Sequence, residues 1–338
     1  MSLGRKLKNI TFLKIIQHIP EKNLKEFVLS RLYYYLNLVP QNIVLDLTSR
    51  CNAACPFCAR TAIGKKGGVD MSRDIFYKAV DEAASIGIKN SRIYSTGESL
   101  LHPDVDEFIA YLKEKGFYIT VSTNAQYMEK HFDSLSLADC VKYSIEGWDK
   151  DSYEYYRKNC NFEKVQKNIS EFMRFISTKE KKPYTVIGLM VNKETNVEQF
   201  FKVWRDKVDD IKLGYSHHVI KWQDGKIKYV DLKEERLRNN MYTFEANDKF
   251  KYCAYPFSDL IISPKGNAVI CCEDFDDYVV FGNVREKSLL EIIHSPKRKQ
   301  VQEEFICQKY NTCMNCSSFN KLDSDSRADF NNKLALHS

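Results

Sequence analysis

The sequence predicts an α/β protein in which six βα units form a partial, TIM-like barrel. Strand-like and helix-like segments alternate from residue 42 to residue 215, which is typical of right-handed βαβ units in a parallel sheet. The alternation stops near residue 216, after six strands, too few to close an eight-stranded barrel. An open (β/α)6 half-barrel is therefore expected.

Each predicted element follows from a local pattern. The strands are short apolar runs, and they cover 42–48, 91–96, 117–123, 140–145, 184–191 and 210–215. The helices have apolar residues at helical spacing, and they cover 72–87, 104–116, 126–136, 150–177 and 197–208. In the first of these, Ser72 is a candidate N-cap and Gly87 a stop signal.

The rest of the 338-residue chain flanks this barrel. Two amphipathic helices separated by Pro20 are expected before it, and a hairpin turning at Lys265-Gly266-Asn267 after it. The predicted division is an N-terminal helical segment 1–40, the barrel 41–216, a lysine-rich linker or insertion 217–252, a small α+β domain 253–320 and a mobile tail 321–338.

Composition limits the classes of function. The chain is 43% hydrophobic and 28% charged, as in soluble globular proteins, and it has no apolar run long enough for a membrane span or a secretory signal. A cytoplasmic protein is expected. The net charge of +6 lies mostly in the first forty residues. That pattern predicts a solvated helical face, with weak contact to a membrane surface or a partner as the alternative, and does not indicate nucleic-acid binding.

Three cysteines, Cys51, Cys55 and Cys58, directly follow the first predicted strand. The carboxyl ends of barrel strands are where such folds place active sites. Clustered thiols in a reducing compartment indicate a metal or catalysis rather than disulfides. A structural zinc site would normally have four ligands in two pairs. A [4Fe–4S] cluster held by only three thiolates leaves one iron open to bind a small molecule.

This C-x3-C-x2-C pattern, with the aromatic Phe57 before the third cysteine, resembles the radical S-adenosylmethionine (radical SAM) superfamily. The resemblance covers roughly residues 43 to 316. Further motifs follow in the expected order: Thr96-Gly97-Glu98-Ser99 where the family has GGEP, Thr123-Asn124-Ala125 where TNG is common, and Ser144-Ile145-Glu146-Gly147 where the family has S-[IL]-D-G, followed by Arg157. Four positions in these motifs depart from the family residue.

The resemblance implies two cofactors, a [4Fe–4S] cluster on Cys51, Cys55 and Cys58, and S-adenosylmethionine on its open iron. Reductive cleavage then yields a 5′-deoxyadenosyl radical that abstracts hydrogen from the substrate, with flavodoxin or ferredoxin as the reducing partner. It also implies the contacts to S-adenosylmethionine: Gly97 and Glu98 to its amino group, Ser144 and Arg157 to its carboxylate, and Thr123 and Asn124 beside its ribose. The residue chemistry agrees, since a carboxylate accepts from an ammonium and arginine donates to a carboxylate.

A second set of cysteines resembles the SPASM/twitch extension, which holds auxiliary iron–sulfur clusters. The cysteines available suit one auxiliary [4Fe–4S] cluster, with Cys253, Cys271, Cys313 and Cys316 as its ligands. Cys272 competes with Cys271 for this role. Cys307 is a buried thiol, a substitute ligand or a reactive group. A structural zinc knuckle is the alternative for the whole set.

The expected reaction is oxidation of a carbohydrate- or cyclitol-like alcohol, a small-molecule substrate, with the auxiliary cluster as electron acceptor. One alternative is a sugar epimerase that uses Cys272 or Cys307 as hydrogen-atom donor. Peptide maturation is another, although a segment of forty residues is short for a peptide-recognition domain. The non-enzymatic alternative is an iron–sulfur or zinc-binding electron-transfer or scaffold protein. Tyr94 and Arg60 lie at the predicted catalytic end and are candidate substrate contacts.

Overall fold

The computed structural model describes residues 22–62, 68–94, 96–214, 220–223, 226–229, 244–245, 253–272, 274–310, 321–322 and 324–335. The first predicted helix, most of the predicted linker 217–252, and the predicted ligands Cys313 and Cys316 lie outside these residues.

Six parallel strands pair in chain order, which confirms the predicted half-barrel. Their bounds are β1 Asn42–Leu45, β2 Asn90–Ile93, β3 Tyr118–Thr123, β4 Cys140–Ser144, β5 Tyr184–Met190 and β6 Asp210–Gly214. In the described part of the chain β6 pairs with β5 alone, so the sheet is not closed.

The longer helices between these strands pack on the sheet in one large core. The helices of this part of the chain are α1 Lys22–Tyr35, α2 Ala59–Ala62, α3 Arg73–Ser85, α4 Val105–Glu114, α5 Phe132–Leu135, α6 Lys150–Tyr156, α7 Phe162–Ser177 and α8 Val197–Trp204. In α3 the buried residues are Ile75, Phe76, Ala79, Val80 and Ala83, which form one helical stripe. The Phe76 ring stacks on that of Phe108 in α4, with centroids 3.7 Å apart.

The predicted helical region 150–177 is two helices, because the chain turns between α6 and α7. Asn159 in this turn has a φ of 67°, a conformation in which asparagine is enriched. The turn contacts the cysteine loop, since the Ala54 amide donates to the Lys158 carbonyl at 2.9 Å. The turn between α6 and α7 therefore supports the cysteine loop, a long-range contact that the helical periodicity of the sequence does not predict.

The C-terminal part of the chain extends the same sheet instead of forming a separate one, which the sequence did not predict. Strands β10 Asp259–Ile262, β11 Asn267–Val269 and β12 Val280–Asn283 continue the sheet from β1. β10 runs parallel to β1, and β11 forms the predicted antiparallel hairpin with β10. Short helices α9 Tyr255–Ser258, α10 Leu289–Ile293 and α11 Pro296–Ile306 complete this part.

An ion pair joins β2 of the barrel to β10 of the C-terminal part. Arg92 Nη1 lies 2.7 Å from Asp259 Oδ1, and the aspartate side chain is almost completely buried. Beside this pair a small core of Val44, Ile261 and Val269 covers the sheet face opposite the helices. The two parts of the chain thus share both a sheet and a core.

Asp259→Ala is expected to lower the free energy of unfolding by about 1–3 kcal/mol, since it leaves a partly buried guanidinium without its acceptor. Urea denaturation measures the change. Asp74→Ala is the matched control, because Asp74 pairs with Arg285 across the same two parts of the chain but on the exposed surface. Its effect should be much smaller. Equal effects would contradict a special role for the buried pair.

Helix α1 packs on the C-terminal part of the chain. Tyr33 of α1, Phe257 of α9 and Phe305 of α11 form a buried core of their own, and Cys253 packs against it. The N-terminal segment thereby lies next to a predicted ligand of the auxiliary cluster.

The predicted mobile tail instead contains regular structure. β13 Lys321–Leu322 pairs with β9 Phe244–Glu245, and α12 covers Ser324–Ala335. Lys333 Nζ of α12 donates to the carbonyls of Asn192 and Lys193. A further hairpin joins β7 Ile220–Gln223 to β8 Lys226–Tyr229. Among the described helices, none combines the length and apolarity that crossing a membrane requires.

Candidate active site

The cysteine loop begins from a fixed stem just after β1. Thr48 and Arg50 both bond to Asp70, with Arg50 Nε and Nη2 at 2.9 and 2.8 Å from the two carboxylate oxygens. Arg60 Nε donates to the Ser49 carbonyl at 3.0 Å. Arg60 was predicted as a substrate contact, but here this donor is committed to the stem.

The three thiols of the loop lie in a partly desolvated environment. Cys55 is buried, and Cys51 and Cys58 are half-buried. Burial raises the pKa of Cys55 to about 12 and also raises that of Cys51. A bound metal would displace these protons, because thiolates are the ligating form.

The donor set suits an iron–sulfur cube. Among the described residues, no three ligating side chains converge on a position for a single metal ion. Cysteine thiolates are the ligands that iron–sulfur clusters take, and three of them leave one iron open. Cys51, Cys55 and Cys58 would hold this cube, and it would supply the electron for cleaving S-adenosylmethionine.

Arg157 and Glu146 form a buried ion pair at the edge of this loop. Arg157 Nη2 lies 2.8 Å from Glu146 Oε1, and Nε bonds to the other carboxylate oxygen. The third nitrogen, Nη1, lies 3.5 Å from Cys55 Sγ, and the guanidinium lies over the Phe57 ring. The family resemblance assigned Arg157 to the carboxylate of S-adenosylmethionine. Here two of its nitrogens bind Glu146, which stands where the family has aspartate.

Glu98 is the centre of a buried hydrogen-bond network. Its Oε1 accepts from Thr123 Oγ1 and its Oε2 from the Asn124 amide, both at 2.7 Å. Asn124 Nδ2 donates to Asn52 Oδ1 of the cysteine loop at 2.9 Å. Burial raises the pKa of Glu98, and these donors oppose part of the rise. The network ties the ends of β2 and β3 to the loop, so Thr123 and Asn124 orient Glu98 whether or not they also meet the ribose.

Gly97 allows the backbone to approach the stem closely. A Cβ at this position would lie 2.2 Å from the Thr48 carbonyl oxygen and 2.4 Å from that of Arg50. Thr96, where the family has glycine, donates from Oγ1 to Asp46 Oδ2 at 2.6 Å. The first departure from the family motif is thus accommodated by a specific partner, whereas the retained glycine is required by packing.

Glu98→Gln is expected to weaken binding of S-adenosylmethionine about tenfold, while changing the free energy of unfolding by only about 1 kcal/mol. The amide keeps most of the network but loses the charge that attracts an ammonium. Equilibrium dialysis with the reconstituted enzyme measures the binding. Glu107→Gln, on the exposed surface of α4, is the control. A loss of stability without loss of affinity would mean that Glu98 serves the fold alone.

The other predicted residues differ in burial. Burial raises the pKa of Tyr94, which packs against the small core of Val44, Ile261 and Val269, as does Cys271. Cys307 is exposed directly after the last residue of α11. Ser144 ends β4 and is half-buried. Cys253 and Cys271 are both half-buried, and the choice between Cys271 and Cys272 as ligand stays a prediction.

Two residues near the loop, Asn52 and Glu146, were not predicted as site residues from the sequence. Asn52 bridges Asn124 and the buried Cys160, to whose sulfur its Nδ2 lies at 3.6 Å. Glu146 was noted only as a departure from the family motif. Glu146 forms an ion pair with Arg157, eleven positions later. The glutamate in place of the family's aspartate was the signal in the sequence that could have pointed to this pair.

A cavity of about 230 Å³ opens at the carboxyl ends of β1, β2 and β10. The barrel contributes Asp46, Ser49 and Thr96 to its wall. The C-terminal part contributes Ser263, Lys265, Asp274, Asp276 and Asp277. The cavity thus lies between the stem of the cysteine loop and the C-terminal part, and its charged lining is mainly acidic.

Comparison with known proteins agrees with this geometry. The sequence model of the Radical SAM superfamily matches residues 45–203, and that of SPASM, an iron–sulfur cluster-binding domain, matches residues 253–317. The fold is similar to that of Streptococcus suis SuiB bound to S-adenosylmethionine, with a TM-score of 0.60, 16% identity, and coverage of 88% of this chain and 78% of that one. The fold is also similar to that of BtrN in complex with AdoMet and 2-DOIA. The TM-score is 0.51 and the identity 16%, and the match covers 83% of this chain and 92% of that one.

Two curated relatives have different activities. A probable GTP 3′,8-cyclase of Methanococcus maripaludis is 25% identical over 73% of this chain and 86% of its own length. A PqqA peptide cyclase of Rhodopseudomonas palustris is 29% identical, but over only 27% of this chain and 24% of its own length. Other matched GTP cyclases are covered over about half their length.

The half-barrel with its three-cysteine loop defines an iron–sulfur enzyme that uses S-adenosylmethionine. The chain belongs to the radical SAM superfamily and carries a C-terminal SPASM domain for auxiliary iron–sulfur binding.

Proposed function

We propose that this enzyme oxidises an alcohol carbon of a carbohydrate- or cyclitol-like substrate, with one auxiliary cluster as the electron acceptor. The observation that supports the proposal most directly is the acidic cavity beside the cysteine loop. It lies between the two parts of the chain that would hold the two clusters.

The carboxylates of the cavity are held in place by neighbouring donors. Asp46 accepts from Thr96, Asp274 from the amides of Tyr278 and Val279, and Asp277 from Ser263 and Asn267. Fixed carboxylates accept hydrogen bonds from hydroxyl and ammonium groups. A polyhydroxylated or amino-bearing substrate suits such a lining.

The same charges disfavour a nucleoside triphosphate. Four aspartates line the cavity against one lysine, and Lys265 Nζ already lies 3.8 Å from Asp277. Like charges in a partly desolvated site repel strongly. We therefore infer a neutral or cationic substrate, in contrast to the GTP of the cyclase relatives.

The reaction balances as the loss of one hydrogen atom, one proton and one electron. When bound, S-adenosylmethionine would supply the 5′-deoxyadenosyl group that accepts the hydrogen atom from the carbinol carbon, and an auxiliary cluster would supply the acceptor for the electron. A cavity carboxylate such as Asp46 would accept the hydroxyl proton. Thr96 and the backbone around Gly97 would fix the position of that carboxylate relative to S-adenosylmethionine.

A sugar epimerase is the second candidate, because Cys272 is half-buried and directly follows Cys271, which packs against the same small core as Tyr94. A thiol in that position would donate a hydrogen atom to the substrate radical. The radical would then not lose an electron to an auxiliary cluster.

The test is a screen of anaerobically reconstituted enzyme for 5′-deoxyadenosine release with neutral cyclitols, amino sugars, sugar phosphates and GTP. Release with neutral or amino-bearing alcohols, together with a carbonyl product, is the expected result. Turnover of GTP would overturn the proposed substrate class. Deuterium from solvent at the substrate carbon without a carbonyl product would identify an epimerase, and its loss in Cys272→Ala would name the donor.

A further inference from the structure

Asn52, inside the cysteine loop, makes two side-chain contacts that lead out of the loop. Its Oδ1 accepts from Asn124 Nδ2 at 2.9 Å, and its Nδ2 lies 3.6 Å from the sulfur of the buried Cys160. In the segment 51–58, all of which the structure describes, Asn52 is the one residue whose side chain bonds to the network around Glu98. Asn52 therefore connects the loop to that network.

A carboxamide suits this place because the orientation of the Asn124 side chain is fixed. Asn124 Oδ1 accepts from the Gln126 amide at 3.1 Å, so its Nδ2 is the atom left to face the cysteine loop. The partner in the loop must then present an acceptor on that side, and a donor on the other side can reach Cys160. One short carboxamide offers both functions, which neither a carboxylate nor an apolar side chain does.

Asn124 also binds the Glu98 carboxylate. Its backbone amide donates to Glu98 Oε2 at 2.7 Å, and both residues are 4% exposed. Asn52 and Glu98 are thus joined through one residue, by hydrogen bonds of 2.9 and 2.7 Å. The Glu98 backbone amide donates to the Arg50 carbonyl at 2.8 Å, which fixes the backbone to the stem of the loop. The Asn52 bond adds a connection between the carboxylate and the part of the loop beyond the stem.

We propose that Asn52 is a positioning residue, which through Asn124 fixes the distance between the cysteine loop and the Glu98 carboxylate. The family resemblance implies that the amino group of S-adenosylmethionine is bound from two sides, by the iron that the loop would hold and by Glu98. Both contacts form together only if the loop and the carboxylate are held at a matching separation. Ordering the two groups beforehand lowers the conformational entropy lost on binding.

The inference rests on the assignment of Glu98 to that amino group, and the experiment is a double-mutant cycle between Asn52 and Glu98. Asn52→Ala, Glu98→Gln and the double variant are reconstituted anaerobically as full-length enzyme, and their iron content is determined. Equilibrium dialysis without substrate measures the affinity for S-adenosylmethionine. Asn52→Ala is expected to weaken binding about fivefold in the unaltered protein and less than about twofold in Glu98→Gln. A residue that acts through Glu98 loses its effect once the carboxylate is gone.

Asn283→Ala is the matched control. Asn283 Nδ2 donates to Asn267 Oδ1 at 2.8 Å, so the variant removes the same kind of bond between two asparagine side chains in the C-terminal part of the chain. It should leave the affinity unchanged in both backgrounds. Equal effects of Asn52→Ala in both backgrounds would mean a purely structural role and overturn the proposal. A weaker affinity in Asn52→Ala beside an unchanged one in Glu98→Gln would also overturn it.

A second variant decides the question if Asn52→Ala does not retain its cluster. Asn124→Ala removes the same bond from the other side, while its backbone amide can still donate to Glu98. Its effect on the affinity should likewise disappear in Glu98→Gln. An effect that persists there would come from a direct contact of Asn124, such as one to the ribose, and would exclude positioning through Glu98. Because no substrate is present, these outcomes are independent of which alcohol is oxidised.

Discussion

Cys55→Ala is expected to reduce cleavage of S-adenosylmethionine to background. Cys55 is the buried member of the three-cysteine loop, and its sulfur is the one that Arg157 approaches. Two remaining thiols would not hold a cube in a defined orientation, so the open iron would be lost. The iron content should fall by about four atoms per chain, the content of one [4Fe–4S] cluster.

The measurement is 5′-deoxyadenosine formed by dithionite-reduced enzyme, with iron determined on the same sample. Cys140→Ala is the control, because Cys140 is a half-buried strand residue outside both predicted ligand sets. It should retain both activity and iron. Persistent cleavage in Cys55→Ala would mean that another side chain completes the cluster, and the buried Cys160 would then be the first to examine.

Glu146→Ala is expected to lower the free energy of unfolding by about 3–5 kcal/mol, because it leaves Arg157 buried without its carboxylate. The side chains of Glu146 and Arg157 are only 3% and 11% exposed. Burial by itself lowers the pKa of Arg157, and Glu146 and Cys55 more than offset this in the unaltered protein, so the variant loses the main group that favours the charged guanidinium. Denaturant titration of the cluster-free protein measures the effect without interference from iron.

A double variant separates stability from function. Glu146→Leu combined with Arg157→Met replaces the pair with apolar groups, and such replacements recover much of the lost stability. Binding of S-adenosylmethionine should remain weak in it, because the positive charge at the cysteine loop is gone. If the double variant binds S-adenosylmethionine like the unaltered protein, the pair has only a structural role.

The local parts of the fold could be predicted from the sequence. The apolar run 42–48 predicts a buried strand, and the apolar spacing in α3 predicts a helix with one buried face. Both patterns depend only on residues that are close together in the sequence. The C-x3-C-x2-C spacing likewise identified the cluster loop, and the motif residues Gly97 and Glu98 proved to lie beside it.

The long-range contacts could not be predicted in the same way. Nothing in the pattern of 259–262 specifies pairing with β1, because a fully buried strand suits any neighbour in the sheet interior. The docking of Tyr33 against Phe257 depends equally on tertiary packing. The polar composition of 321–338 predicted mobility, yet α12 forms, with Lys333 bonded to carbonyls outside the helix. Tertiary context overrides weak local preference in each case.

The pairing of β1 with β10 has a consequence for the order of events during protein synthesis. The strand that carries the cysteine loop gains its second neighbour only after more than two hundred further residues have been translated. Pairings between such distant segments form late. Cluster delivery in the cell should therefore follow synthesis of β10, when both edges of that strand are covered and the loop has its full support.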